Sequence, residues 1–324
     1  CVVPKPGFST AYAAFATNYG GAHRRFSVDG SVIDLAGEWE FCTLRHGADR
    51  SQFFRRMQLK KEWPGALKIR VPGIWEDQGV GGAAPLPARV CYGGVRHDFP
   101  LRHSFVGNGW YRRTAEIPRE WSGKRIWFKT GWVNSQGWFW INGQQVALEH
   151  NYCATHKYDV TDLVTFGEDN MIVVQVCNGL PSHRGCANSK NHWGGILRDL
   201  EFEATPDVCI DDAWVRGDFD NREAEVHVEI AGEVEKKGGG GQGNDSLSLR
   251  ATVEGATVQV PLSTSTSSLH LEVPLRNFRP WSPEHPNLYT AKVELVSADG
   301  KVLQTRLERF GVRKFEVRGR EVFL

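Results

Sequence analysis

Short runs of alternating apolar and polar residues, each closed by a turn signal, recur along almost the whole chain. They predict strands at Gly37–Leu44, Ile69–Val71, Trp110–Ile117, Arg125–Thr130, Gly137–Ile141 and Asn170–Val176. Between two such runs sits the pair Asn142-Gly143. Both residues tolerate positive φ, so the pair predicts a tight hairpin. The stretch "YDVTDLVTFGEDN" reads as a strand end, a single helical turn around Thr161–Leu163 and a turn back. No long stretch carries apolar residues at i, i+3, i+4 and i+7, and one mid-chain helix is expected, over Asp49–Met57. Residues 1–25 keep no sustained period and read as an irregular arm.

A second series of runs begins near Pro206. "DVCIDDAWVRGDF", "AEVHVEIAGEV", "LSLRATVEG", "ATVQVPL", "LHLEVPL" and the long segment from Leu288 to Val317 alternate or are β-branched. Their spacing is that of a sandwich of about 100 residues. Lys236–Asp245 reads "KKGGGGQGND". Its glycines have the most backbone entropy to lose and no side chain to anchor them, so Gly238–Gly243 is expected to be a mobile hairpin tip. The chain therefore reads as all-β. A jelly-roll sandwich, galactose-binding-domain-like, is expected over 26–205. An immunoglobulin-like sandwich follows over 206–320, and a short link over 321–324. The first region is too long for an immunoglobulin-like sandwich and suits a jelly roll.

Composition narrows the classes. The 324 residues carry 39 Lys plus Arg against 38 Asp plus Glu, so no basic surface calls for nucleic acid. No apolar run approaches the ~18 residues of a membrane helix, so no span is expected. Twelve Trp beside two Met favour rigid aromatic surfaces over adaptable helical packing. The seven Cys (Cys1, Cys42, Cys91, Cys153, Cys177, Cys186 and Cys209) are odd in number and too sparse for a disulfide scaffold. They leave the compartment open, and Cys1 would suit a lipid-modified mature terminus. A periplasmic or extracellular location is favoured over a cytoplasmic one.

Chemical motifs are mostly absent. There is no G-x-S-x-G, no H-E-x-x-H and no P-loop. Cys177, His183, Cys186 and His192 lie close in sequence but lack a C-x-x-C pair, so they read as ordinary loop residues and the metal question stays open. Asn244-Asp245-Ser246 fits a glycosylation sequon. No cofactor is expected.

Eight segments in order carry a resemblance. They are "IDLAGEWEF" (Ile33–Phe41), "VPGIWE" (Val71–Glu76), "GNGWYRRTAEIP" (Gly107–Pro118), "GWFWINGQQV" (Gly137–Val146), "YDVTDLV" (Tyr158–Val164), "NHWGGILRDLEF" (Asn191–Phe202), "RPWSPEHPNLYTAKVEL" (Arg279–Leu295) and "FGVRKFEV" (Phe310–Val317). Together they resemble the non-catalytic front half of glycoside hydrolase family 2, the group of β-galactosidases, β-glucuronidases and β-mannosidases. The resemblance implies a sugar-binding jelly roll and an immunoglobulin-like sandwich, with a catalytic (β/α)8 barrel expected downstream of Phe323-Leu324. Its acid/base is a glutamate preceded by asparagine. No Asn-Glu dipeptide occurs here, so no catalytic residue is assigned within the chain.

In that family, loops of the jelly roll lend polar residues to the terminal sugar subsite. The resemblance carries this role to Asn108, before "WYRR", and to Asn191, with Asn188 nearby, before "WGGILRD". Family galactosidases often have Asp where Asn191 stands. The amide keeps an acceptor and loses the charge. Trp193 is the aromatic best placed for sugar stacking, since a flat ring matches the C–H face of a pyranose. Trp138 and Trp140 share one strand face and read as core, as do Trp39, Trp75, Trp110 and Trp281. Arg112 and the pair Arg198-Asp199 read as structural ion-pairing groups. The expected partner is a terminal β-linked sugar. Two alternatives stand beside this reading: a stand-alone carbohydrate-binding module, and a pair of docking β-domains whose sugar site has decayed.

Overall fold

The computed structural model describes residues 31–323 except 46–62, 64–65, 84–87, 93–94, 100–102, 106, 135, 150–153, 179–193, 233–246 and 264–265. The expected arm 1–25, the helix over Asp49–Met57, the glycine-rich tip Gly238–Gly243 and the sequon asparagine lie outside the described residues. Among the described residues the secondary structure is strand, with three single-turn 3-10 helices. The chain divides into two compact units, one holding Val32–Ala204 and the other Thr205–Leu324.

The strands of the first unit are β1 (Val32–Asp34), β2 (Gly37–Arg45), β3 (Leu67–Val71), β4 (Gly73–Ile74), β5 (Gly82–Ala83), β6 (Ala88–Tyr92), β7 (Val95–Phe99), β8 (His103–Ser104), β9 (Gly107–Glu116), β10 (Arg125–Thr130), β11 (Val133–Asn134), β12 (Gln136–Ile141), β13 (Gln144–Glu149), β14 (His156–Asp159), β15 (Asp169–Cys177), β16 (Gly195–Ile196) and β17 (Glu201–Thr205). A six-stranded sheet runs β13-β12-β15-β9-β2-β3, and a four-stranded sheet runs β1-β17-β10-β14. Neighbours far apart in sequence, such as β2 with β9 and β9 with β15, give the crossed connections of a jelly roll.

Alternation along each strand decides which face is dry. Phe139 and Ile141 of β12, Ile172, Val174 and Val176 of β15, Tyr111 of β9, and Trp39 and Phe41 of β2 all enter one core. Phe128 of β10 meets Phe139 across the two sheets at 5.9 Å and touches Phe202 of β17 at 5.4 Å. The opposite face of the six-stranded sheet carries a second, smaller cluster of Trp63, Trp110, Trp140 and Val173, where the Trp110 and Trp140 rings stack at 5.6 Å. β9 is consequently buried on both faces from Gly107 to Arg112.

Turn chemistry agrees with the sequence. Asn142 and Gly143 take φ of 49° and 84°, the positive pair that matches the twist of a two-residue hairpin. The Asn142 amide donates to the Leu163 carbonyl, and its Oδ1 accepts from Met171 N–H, fixing the hairpin against β15. The expected helical turn is present over Thr161–Leu163, where Asp159 Oδ1 accepts from Thr161 N–H at 3.0 Å.

The second unit holds β18 (Cys209–Asp218), β19 (Glu223–Ala231), β20 (Ser248–Val253), β21 (Ala256–Pro261), β22 (Ser268–Pro274), β23 (Tyr289–Val296), β24 (Val302–Phe310), β25 (Glu316–Arg318) and β26 (Glu321–Phe323). Sheets β18-β19-β22 and β21-β20-β23-β24 enclose a core of alternating residues such as Val226, Val228, Leu249, Ala251, Val293 and Leu295. This is an immunoglobulin-like sandwich. A bulge in β18 lies between Ile210 and Asp212, and Ile210 itself stays in register with Ile230. Gln304 of β24 satisfies the Ile210 backbone: it accepts from Ile210 N–H at 2.7 Å and donates to its carbonyl at 3.2 Å. β26 pairs antiparallel with β25.

Candidate functional site: a buried clamp at the base of the Asn191–Trp193 segment

The segment "VPGIWED" ends β3, forms β4 and opens a single 3-10 turn at Glu76–Gln78. β4 is one edge of a three-stranded sheet, β11-β16-β4, in which Gly195 faces Ile74 and Ile196 faces Val133. This sheet receives the chain directly after Trp193. Three bonds fasten it there. Trp75 N–H donates to the Gly194 carbonyl at 3.0 Å. Gly194 N–H donates to Glu76 Oε2 at 3.1 Å. Trp75 Nε1–H donates to Glu76 Oε1 at 2.5 Å.

The Trp75 indole fills a slot that only glycine permits on two sides. A Cβ on Gly194 would lie 1.8 Å from Trp75 Cζ2, and a Cβ on Gly109 would lie 2.3 Å from Trp75 Cζ3. Gly109 stands inside β9, where a strand glycine marks a close approach of another group. Phe41 and Phe105 meet the same indole, each at 5.9 Å between ring centroids.

Glu76 is 0% exposed. Burial pushes its carboxyl up to about 8, against the hydrogen bonds from Gly194 and Trp75 that favour the ionised form. Burial thus favours its protonated form. No substrate can touch a group so enclosed; Glu76 holds the backbone at Gly194.

Residues 32–206 match the profile described as "Glycosyl hydrolases family 2, sugar binding domain", and residues 208–313 match that described as "Glycosyl hydrolases family 2". The chain belongs to glycosyl hydrolase family 2. This family-2 chain is 28% identical over 306 residues to a β-galactosidase of Priestia megaterium, an alignment covering 88% of this chain and 28% of the relative. It is 25% identical over 279 residues to a β-glucuronidase of Paenibacillus borealis, covering 76% of this chain and 42% of the relative. In fold it is similar to the crystal structure of a Ruminococcus gnavus β-glucuronidase, with a TM-score of 0.65 at 18% identity, over 92% of this chain and 47% of that one. The chain thus spans less than half the length of these relatives.

Of the four residues that the resemblance marks for sugar contact, the structure describes one. Asn188, Asn191 and Trp193 lie outside the described residues. So do His183, Cys186 and His192, three of the four residues in the Cys/His group. Asn108 stands within β9, opposite Cys177, and not in a turn before the strand. The strand starts three residues earlier than the apolar pattern suggests, because β2 extends to meet Gly107 and β15 to meet Asn108. The Asn108 side chain is 1% exposed. Its Oδ1 accepts from Gln175 Nε2 at 2.8 Å, and its Nδ2 has no hydrogen-bond partner among the described residues.

Of the tryptophans expected in the core, four are buried and two are only partly so. Trp39, Trp75, Trp110 and Trp140 are buried, while Trp138 and Trp281 are half-buried. Arg112 pairs with Glu40 and lies over the Trp63 ring at 5.1 Å. Glu76 was not marked as a site residue by sequence. The available signal was one carboxylate directly after a tryptophan in an apolar stretch, "GIWEDQGV".

Proposed function

We propose that this chain is the non-catalytic front portion of a retaining exo-β-glycosidase. In this reading it supports a catalytic barrel that follows in the whole protein, and its Asn188–Trp193 segment lends groups to the terminal-sugar subsite. The supporting observation is the Trp75–Glu76 clamp on Gly194. A buried carboxylate and a wholly enclosed indole are spent on holding one backbone position, immediately after Asn191-His192-Trp193. Groups that orient a substrate need such a rigid support. The relatives named above are a β-galactosidase and β-glucuronidases, which agrees with a terminal β-linked sugar as ligand.

Asn191 supplies an amide able both to donate to and accept from a hydroxyl. Trp193 supplies a flat apolar face and an N–H. These form one wall, and the remaining walls belong to the barrel. A ligand held on one side only buries little of its surface, whereas good pockets bury ~70–90% of it. The chain of 324 residues should therefore bind galactose or glucuronate weakly, with Kd of about 1 mM or above, on the order of −4 kcal/mol. Titration calorimetry reads this directly. Micromolar binding that disappears in Asn191→Ala would overturn the proposal and favour an independent carbohydrate-binding module.

A further inference from the structure

The sheet β18-β19-β22 carries a side-chain cluster unconnected with that clamp. Glu225 and His227 stand two residues apart on β19 and so share a face. His270 of β22 lies directly opposite His227 in the antiparallel register, and Trp214 of β18 lies opposite it on the other side. The Trp214 and His227 rings stack at 3.6 Å, and the His227 and His270 rings at 4.5 Å. One ligand atom from each of Glu225, His227 and His270 lies within 4.8 Å of the other two.

Two details separate this cluster from simple aromatic packing. The His227 Nε2 atom is buried and has no hydrogen-bond partner. A ring stack gives that nitrogen nothing to bond, and a buried polar atom left so is costly. Glu225, 9% exposed, gives its Oε2 to Arg216, which orients the carboxylate and leaves Oε1 for another partner. Outer partners of this kind commonly fix the ligands of an ion.

We propose that Glu225, His227 and His270 form a binding site for a divalent transition-metal ion of the zinc class. Two imidazoles and a carboxylate are the ligand types such an ion takes, with water in the fourth position. Hard cations such as Mg²⁺ prefer an all-oxygen shell and are disfavoured here. Bonds of about 2.0–2.2 Å place tetrahedral donors roughly 3.4 Å apart. The present atoms lie within 4.8 Å of one another, so binding requires them to close in, and His270 is the exposed member of the three. Trp214, 48% exposed, covers the opposite face of His227 and keeps that ring from swinging away.

The test is calorimetric titration of the whole chain with zinc chloride, and with magnesium chloride as control. NMR of the histidine ring protons is followed in parallel. Zinc should bind saturably with the His227 and His270 resonances moving together, and magnesium should do neither. His270→Ala should weaken zinc binding at least about tenfold, as should Glu225→Gln to a smaller extent. The altered imidazole is exposed, so circular dichroism should show a native fold; His270→Gln serves if alanine does not fold. Unchanged zinc affinity in the folded His270 variant, or zinc binding that leaves both imidazole resonances in place, would overturn the proposal. The second pattern would assign the ion to cysteines instead.

Discussion

Trp75→Ala should destabilise the first unit by about 3–5 kcal/mol, the range for emptying a buried aromatic site. The indole is 0% exposed and has no alternative partner to release its space to. Its slot is walled on two sides by Gly109 and Gly194, which own no side chains that could collapse inward. The loss also takes away the Nε1–H bond to Glu76, which leaves a buried carboxyl with one donor fewer. Trp75→Phe keeps a six-membered ring and loses the pyrrole portion with its donor, so it should cost less than Trp75→Ala, about 1–3 kcal/mol. Urea unfolding followed by tryptophan fluorescence reads the first unit selectively, since all tryptophans except Trp214 and Trp281 lie in it. A loss below about 1 kcal/mol in Trp75→Ala would show that the slot closes without it.

Glu76 should make the first unit less stable as pH rises. In the unfolded chain its carboxyl titrates near the ordinary 4.5, and in the folded chain only near about 8. Between those values the folded state holds a proton that the unfolded state has lost, so stability falls with pH. The contribution is whole below about pH 4.5 and is gone above about 8. The separation corresponds to several kcal/mol, on the order of 4–5. Glu76→Gln cannot titrate. The difference in unfolding free energy between wild type and Glu76→Gln should therefore shrink steadily, or change sign, from pH 4.5 to 8. A difference that stays constant across the range would show that the folded carboxyl ionises normally. Burial opposes ionisation here more strongly than the two N–H donors of the clamp favour it. Ionising Glu76 places an uncompensated charge beside the buried Tyr111, whose hydroxyl is itself held well above its ordinary range by burial and by that charge.

Strands were legible in the sequence wherever one face is wet. Arg125–Thr130 has the same bounds in both readings, and the Asn142-Gly143 hairpin follows from two residues that accept positive φ. Legibility failed at the start of β9, although β12 and β15, buried almost throughout, were found. At Gly107–Gly109 no alternation remains, because Trp75 presses on Gly109 from one side and the Trp63–Trp110–Trp140 cluster covers the other. Asn108, a sugar-contact candidate placed before the strand, in fact completes the ladder against Cys177 and bonds Gln175 inside the sheet.

The candidate site was legible in a different way. The segment Asn191–Trp193 was marked by family resemblance, whereas Glu76 was passed over, because a single carboxylate in a motif looks like solvent-facing polarity. Only the three-dimensional pairing of β4 with β16 brings it to Gly194, more than a hundred residues away. The same holds for His227 and His270. Each occupies an ordinary polar position of an alternating strand, "AEVHVEIA" and "SLHLEVP", and only the register of β19 with β22 brings the two together. Contacts of high sequence separation leave no local signature.

The most direct test of the proposed division of labour is turnover of nitrophenyl β-galactoside, β-glucuronide and β-mannoside. Residues 1–324 are compared with the same protein extended through the downstream gene. Retaining hydrolysis needs two carboxyl groups about 5–5.5 Å apart across the scissile bond, held on rigid elements. The account predicts activity in the extended protein alone, with Asn191→Ala in that form raising KM or lowering kcat. Equal turnover by residues 1–324 would contradict it and require a catalytic carboxylate pair within these two sandwiches.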